Sequence, residues 1–324
     1  MAGLVTIFGG SGFVGRYITR RLARSGWRIR VACRRPNEAM FVRPYGNVGQ
    51  VEPVFCNIRD DRLVADVTRG ADAVVNCVGT FDAFGKNNFE AIQADGASRI
   101  AKTAADMGVR RMVHLSAIGA DADSASGYGR SKAAGEEGVL THMPDAVILR
   151  PSVVFGPEDE FFNRFGRMAR GPVLPVVGAD TRFQPVYVDD VAAAAEAAVA
   201  GHASSGVYEL GGPDVRTFRE LLEEMLEVVR RRALILSIPR PVAALMGRTF
   251  DLADRWTGGL VKGPITADQV RQLEADNVVA DDARGLRELG ISPTATEAVL
   301  ADYLWRFRPS GQYAAIKDSA RNLR

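Results

Sequence analysis

The chain has 324 residues, 47% of them apolar and 25% charged, which is enough for a buried core and excludes a wholly disordered chain. At roughly 100–200 residues per domain it makes about two domains, or one large domain with an appendage. Lysine plus arginine number 41 against 39 acids, so the net charge is only +2 and no nucleic-acid partner is expected, since neutralising phosphates takes a basic stripe.

Leu4–Phe8 reads as a buried strand, followed by a glycine-rich turn and a helix from about Gly12 to Ser25. On that helix Val14, Ile18 and Leu22 recur every four residues, with Arg16, Arg20 and Arg24 on another face. Gly26 supplies the stop. Further strands are predicted at Arg28–Cys33, Glu52–Cys56, Ala73–Cys77, Met112–Ser116, Ala146–Arg150 and Val207–Leu210. Helices lie between most of them, notably Asn88–Met107, Tyr128–Leu140 and Val188–Ala200. Such alternation, with near-continuous apolar strands, means a parallel sheet covered on both faces.

After Pro213 the pattern changes to a helix over Phe218–Val229, a basic Arg230–Arg232 step read as a solvated helix end, a short strand Leu234–Ile238, and a helical region from Pro239 to Gly263. In that region Leu245, Met246, Phe250, Leu252 and Trp256 form an apolar stripe, whose ordinary reading is core. The sharper reading lays the stripe on lipid headgroups or a membrane subunit, with Arg248, Arg255 and Lys262 as anchors for anionic lipid. Trp305–Arg308 admits the same two readings. No apolar run reaches the roughly 18–20 residues that span a bilayer, and the first residues lead straight into a strand, so a soluble cytoplasmic chain able to dock on a membrane is expected. Cys33, Cys56 and Cys77 are widely spaced and do not cluster with His114, His142 or His202; neither a disulfide framework nor a metal site is expected. His114, inside a strand, reads as a core residue.

The first chemistry lies in Gly9-Gly10-Ser11-Gly12-Phe13-Val14-Gly15. Gly9 permits a tight turn, Gly12 a close backbone approach to a pyrophosphate, and Gly15 close packing of helix on sheet. The helix start then offers free N–H groups and partial positive charge to phosphates. Between a clear strand and a clear helix this predicts a dinucleotide site in a Rossmann-type, doubly wound α/β domain. A NAD site usually places an acid at the end of strand two, where this chain has Cys33-Arg34-Arg35. Guanidinium groups suit an adenosine 2′-phosphate, so NADP(H) is preferred to the plainer reading of a solvated basic loop. Asn57 and Ile58 would flank the adenine, and Val78 and Gly79 would pass beneath the cofactor.

Tyr128 and Lys132 stand one helical turn apart on the same face. The cation is expected to lower the phenol's pKa, letting it pass a proton to or from a carbonyl while hydride moves to or from nicotinamide. Ser116, at the end of strand five, would polarise the same carbonyl. This combination of glycines, Ser116, Tyr128 and Lys132 resembles the short-chain dehydrogenase/reductase superfamily. The segments Arg150–Pro157, Val186–Val191 and Tyr208–Pro213 resemble its extended, epimerase-like branch, and this resemblance adds Pro151 and Val153 to the cofactor site. The chain departs from active members in its short Ala117–Gly127 segment and in Gln93, where they often carry asparagine, which weighs against turnover but not against cofactor binding.

Tyr128–Glu136 followed by Phe155-Gly156-Pro157-Glu158-Asp159-Glu160-Phe161-Phe162-Asn163-Arg164-Phe165, with Thr266–Val270, Leu286–Gly290 and Tyr303–Arg308, resembles the NADPH-binding accessory subunit of respiratory complex I. That resemblance implies a tightly held NADPH of structural role, off the main electron path. It also implies the other complex I subunits as partners and a peripheral position on the cytoplasmic face of a bacterial inner membrane, while the apolar stripe adds lipid headgroups as possible contacts of the C-terminal domain. The rival reading is an NADPH-dependent reductase or epimerase of a small carbonyl or sugar nucleotide, with Tyr128 as acid/base, Lys132 tuning it and Ser116 assisting. The expected architecture is an NADP(H)-binding Rossmann domain at residues 1–156, with 186–212 returning to it. A smaller, mostly helical C-terminal docking domain would take 157–185 and 213–324.

Overall fold

The computed structural model describes residues 3–82, 85–256 and 265–313, with the side chains of 253–255 and 312 left aside. The chain divides into two compact units. The first comprises Met1–Pro151, Val188–Leu210 and Val279–Ser292, and the second Ser152–Tyr187, Gly211–Val278 and Pro293–Arg324.

The first unit is built on seven strands: β1 (Leu4–Phe8), β2 (Arg28–Cys33), β3 (Val51–Phe55), β4 (Ala73–Asn76), β5 (Arg111–Leu115), β6 (Val147–Pro151) and β7 (Gly206–Leu210). All pair in parallel, in the order β7-β6-β5-β4-β1-β2-β3. Its helices are α1 (Phe13–Arg24), α2 (Asp61–Thr68), α3 (Asp95–Asp106), α4 (Gly127–His142) and α5 (Val188–Ala200). Parallel strands need crossovers, and helices on both faces bury both sides of the sheet, which is why Val5, Ile7, Phe8, Val74, Ile148 and Leu149 are all buried. The chain winds outward from β1 to β3, then returns to lay β4 on the other side of β1. A crevice at the carboxyl ends of β1 and β4 follows from that reversal.

The sequence reading misses α2, a short helix started by Asp60, whose carboxylate accepts from the N–H groups of Arg62 and Leu63. It also assigns all of 213–324 to the second domain. Val279–Ser292 instead belongs to the first unit, where it shields the outer edge of β7. Glu209 N–H donates to the Arg284 carbonyl at 2.8 Å, and the Arg284 guanidinium lies 4.4 Å over the Tyr208 ring.

The second unit holds an aromatic core of Phe155, Phe162, Phe183, Phe218, Tyr303 and Phe307. Its helix Phe218–Val229 opens with a capping box between Thr217 and Glu220. The Phe155–Phe165 motif serves this core. Buried Asp159 accepts from Gly156 N–H at 3.1 Å, Asn163 N–H at 3.0 Å and the Tyr303 hydroxyl at 2.6 Å. Arg230 and Arg232 are exposed, as a solvated helix end requires, but Arg231 Nε donates to the Phe307 carbonyl at 2.6 Å. The expectation of a core stripe on the helix Arg240–Trp256 fails: Leu245, Leu252 and Trp256 are exposed and Met246 and Phe250 only half-buried, while Ala243 and Gly247 on the other face are covered. The Arg255 side chain and Lys262 lie outside the described residues.

Candidate functional site

At the end of β1 the chain turns at Gly9, whose φ of 76° lies in the left-handed region that favours glycine. Gly9 N–H donates to the Ala32 carbonyl at 3.0 Å, and Gly12 N–H donates to the Gly9 carbonyl at 2.9 Å, closing a tight turn. A Cβ on Gly15 would collide with the Gly9 carbonyl oxygen, so only glycine lets α1 settle this close to the turn. The helix starts at Phe13 with Gly12 as its N-cap, no side-chain cap and no acid in the first turn. Its first N–H groups and dipole are therefore open to an anion. Ser11, Phe13 and Val14 are half-buried around this opening. A Cβ on Gly9 would stand 3.2 Å from the backbone of Cys77 and Val78, so the β1 turn and the end of β4, including Val78 and Gly79, come together.

At the end of β2 Arg34 and Arg35 are both exposed. Arg35 pairs with Glu38 at 3.2 Å, whereas Arg34 has no ion pair among the described residues. Asn57 is half-buried, its side-chain oxygen accepting from Arg59 N–H at 3.2 Å. Ile58 is buried and packs into the core of the unit. Pro151 closes β6 and its carbonyl accepts from Ile118 N–H at 3.1 Å, while Val153 belongs to the second unit.

Ser116, Tyr128 and Lys132 converge on α4 and the end of β5, but not as the sequence predicts. Lys132 Nζ donates to the Leu115 carbonyl at 3.1 Å and lies 5.8 Å from the centre of the Tyr128 ring. Burial pushes the Tyr128 phenol up to about 12. That direction is opposite to the lowering expected from the ammonium, and its cause is desolvation of the phenolate. Lys132 is itself pushed down to about 8, by burial first, with the charges of Glu136 and Cys77 opposing. The Ser116 hydroxyl donates to Glu136, a partner that the sequence reading does not name.

Glu136 is the residue that the sequence reading passes over. It stands one turn beyond Lys132 on α4, is 5% exposed, and takes the Arg150 guanidinium in a two-pronged pair at 2.8 and 2.6 Å. Arg150 also faces Glu209 at 3.7 Å. The signal was present as the regular spacing Tyr128, Lys132, Glu136, although its partner lies on another strand. Two aromatic rings also complete the site. Phe81 stacks on Tyr128 with centroids 5.4 Å apart and planes 13° apart, and Phe89 meets it edge-on at 5.9 Å. Gln93 is buried in a π-helical turn at Glu90–Ala94, its amide donating to the Thr80 carbonyl at 2.5 Å and its oxygen accepting from Ser131 at 3.3 Å. A hollow of about 680 Å³ on the outer faces of α3 and α4, lined by Ser98, Arg130, Glu137 and His142 among others, contains none of the predicted site residues.

The sequence pattern of the NAD dependent epimerase/dehydratase family matches residues 5–211. Among curated relatives, NADH dehydrogenase (ubiquinone) 1 alpha subcomplex subunit 9, mitochondrial, of Arabidopsis thaliana is 33% identical over 320 residues, 96% of this chain and 80% of that protein. A ceramide reductase of Caulobacter vibrioides is 33% identical over 260 residues, 79% of this chain and 78% of that protein. Among solved structures, the NADPH-dependent quinone oxidoreductase of Escherichia coli in complex with NADPH superposes with a TM-score of 0.70 at 17% identity. It covers 93% of this chain and 98% of that one, a likeness of fold.

Proposed function

The chain belongs to the NAD dependent epimerase/dehydratase family, and from that premise we propose that it is an accessory subunit of respiratory complex I that holds NADPH tightly and off the main electron path. Relatives among the alpha subcomplex subunit 9 proteins, matched over 94% and 96% of this chain, support the reading. The observation that carries it within the fold is the buried Ser116–Glu136–Arg150 set. It withdraws the serine from any carbonyl and leaves beside it a tyrosine and a lysine held by burial and aromatic stacking, while the glycine turn stays open to phosphates.

In this proposal Gly9, Ser11, Gly12, Phe13, Val14 and Gly15 receive the pyrophosphate. Arg34, with Arg35, takes the 2′-phosphate. Asn57 and Ile58 flank the adenine, and Val78 and Gly79 run under the cofactor. Ser116, Tyr128 and Lys132 meet the nicotinamide half, with Pro151 at its far side. When bound, NADPH supplies binding energy that only the folded chain can use. The partners are the other complex I subunits and, through the second unit, lipid headgroups. The place is the peripheral arm, at the cytoplasmic face of a bacterial inner membrane.

A second reading is favoured by the ceramide reductase relative and by the retained Tyr128 and Lys132. Here the chain is an NADPH-dependent reductase or epimerase of a small carbonyl or sugar-nucleotide substrate. One experiment separates the two. The tagged chain is isolated from gently solubilised native membranes, as wild type and as Tyr128→Phe. Co-migration of both forms with NADH–quinone oxidoreductase, each carrying about one NADPH per chain, is the result expected. A free protein whose NADPH oxidation disappears with the tyrosine hydroxyl overturns the subunit reading.

A further inference from the structure

We propose that the helix Arg240–Trp256 and the strand before it are an interfacial anchor that lies flat on a bilayer bearing anionic headgroups. This deepens the peripheral-membrane part of the function proposed above by naming the surface, and it rests on that reading only for the presence of a membrane.

The helix has two opposite faces, and its contacts assign them. Ala243 is 1% exposed against Val177 and Val270. A Cβ on Gly247 would stand 2.6 Å from Ala267 N, and the Asp251 carboxylate accepts from Ala267 N–H at 3.1 Å. At about 100° per residue, Val242, Leu245, Thr249, Leu252 and Trp256 fall in one sector about 80° wide, centred opposite Ala243, Gly247 and Asp251. The apolar members of that sector are 49%, 64%, 57% and 84% exposed. The preceding strand repeats the theme: Leu234–Ile238 pairs in parallel with Val173–Val177, Leu234 lies beside Val173 in register, and Val173, Leu234 and Leu236 are exposed while Leu174 and Val176 are buried.

Charge selects the occupant. From Val228 to Phe250 the only ionisable residues are five arginines: 230, 231, 232, 240 and 248. The whole chain carries +2, so this stretch of +5 leaves −3 on the remainder. Arg232, Arg240 and Arg248 are exposed. An outward apolar sector closed by a tryptophan, with Arg248 near its edge, Arg240 exposed at the helix start and no acid on the outer face among the described side chains, matches a headgroup layer. There the apolar groups enter the acyl boundary and the guanidinium groups meet phosphates. The helix is too short and too charged to cross, and no described helix of the chain is long and apolar enough to do so. Lying flat, it would cover about 25 Å of surface.

The test uses the purified full chain and vesicles, floated on a density gradient, of phosphatidylcholine alone or mixed with phosphatidylglycerol. Binding about tenfold or more stronger to the mixed vesicles, weakening with salt, is expected. Arg240→Ala with Arg248→Ala should cost about fivefold per arginine. Leu245→Glu with Leu252→Glu should abolish flotation while thermal melting stays that of the wild type. Absence of flotation, or flotation that survives the paired glutamates, overturns the inference. So does failure to float when the same glutamates release the chain from NADH–quinone oxidoreductase, which would assign the face to a protein partner. Because the vesicles contain no complex I, failure of the subunit reading leaves this result intact, and the reverse holds.

Discussion

Arg34 and Arg35 are neighbours in sequence but differ in circumstance, since one already has a carboxylate partner in Glu38 and the other has none among the described residues. If they grip a 2′-phosphate, Arg34→Ala should weaken NADPH about tenfold to a hundredfold and NADH less than about threefold, with Arg35→Ala the milder change. Fluorescence titration with both nucleotides checks this, and equal losses would sink the assignment. His114 offers a second test. Its Nδ1 meets the Asn76 amide at 3.1 Å, and its buried Nε2 has no hydrogen-bond partner among the described residues. Burial, aided by the charge of Lys132, pushes its pKa down to about 3. In the unfolded chain histidine titrates near 6.5, so across that window the unfolded state holds a proton that the folded state lacks. Stability therefore rises with pH between about 3 and 6.5 and is lost on acidification, by up to about 1.4 kcal/mol per pH unit. Urea denaturation from roughly pH 4 to 6 should show this slope in the wild type and a flatter one in His114→Gln. The sequence makes His114 legible as a core residue because it sits within an apolar strand. It cannot reveal the missing partner of Nε2, nor that Ser116 turns to Glu136, because both depend on groups brought together from distant segments.

At the scale of elements, turn and helix are one device. Gly15→Ala would drive a methyl into the Gly9 carbonyl and push α1 off the turn. We expect it to cost about 1–3 kcal/mol of stability and to reduce NADPH binding beyond what that loss explains, as read by melting and titration together. The strands are legible to within a residue or so: β1 and β2 fall where the apolar β-branched runs place them, since a strand buried on both faces has little room for polar side chains. The helix α2 is not legible, because eight residues give too little periodicity to stand out from a loop. The stripe at Leu245–Trp256 fails for another reason. Periodicity shows that a helix has an apolar face; it does not say whether protein or something else covers it. The Asp159 motif is legible in sequence only as a resemblance; in the fold its hydrogen bonds shape a turn and seat Tyr303.

For the whole molecule, a ligand confined to the first unit should act on that unit. At a thousandfold excess over its dissociation constant NADPH would add about 4 kcal/mol to the stability of the first unit. Calorimetry should then show one transition moving with nucleotide concentration and a second, from the other unit, that does not. A single transition that ignores NADPH would count against the site. The path of the chain has a further consequence, for synthesis. It passes between the units after residues 151, 187, 210, 278 and 292, so neither unit is an uninterrupted stretch. As the chain leaves the ribosome, β1 to β6 can assemble early, but β6 remains a bare edge until β7 arrives, and β7 in turn waits for Arg284 to cover it. An open, apolar, parallel edge invites pairing with another nascent chain. From residue 152 until Arg284 is made the growing chain therefore carries such an edge, and a chain stopped within that interval is expected to be an aggregation-prone fragment rather than a smaller working domain.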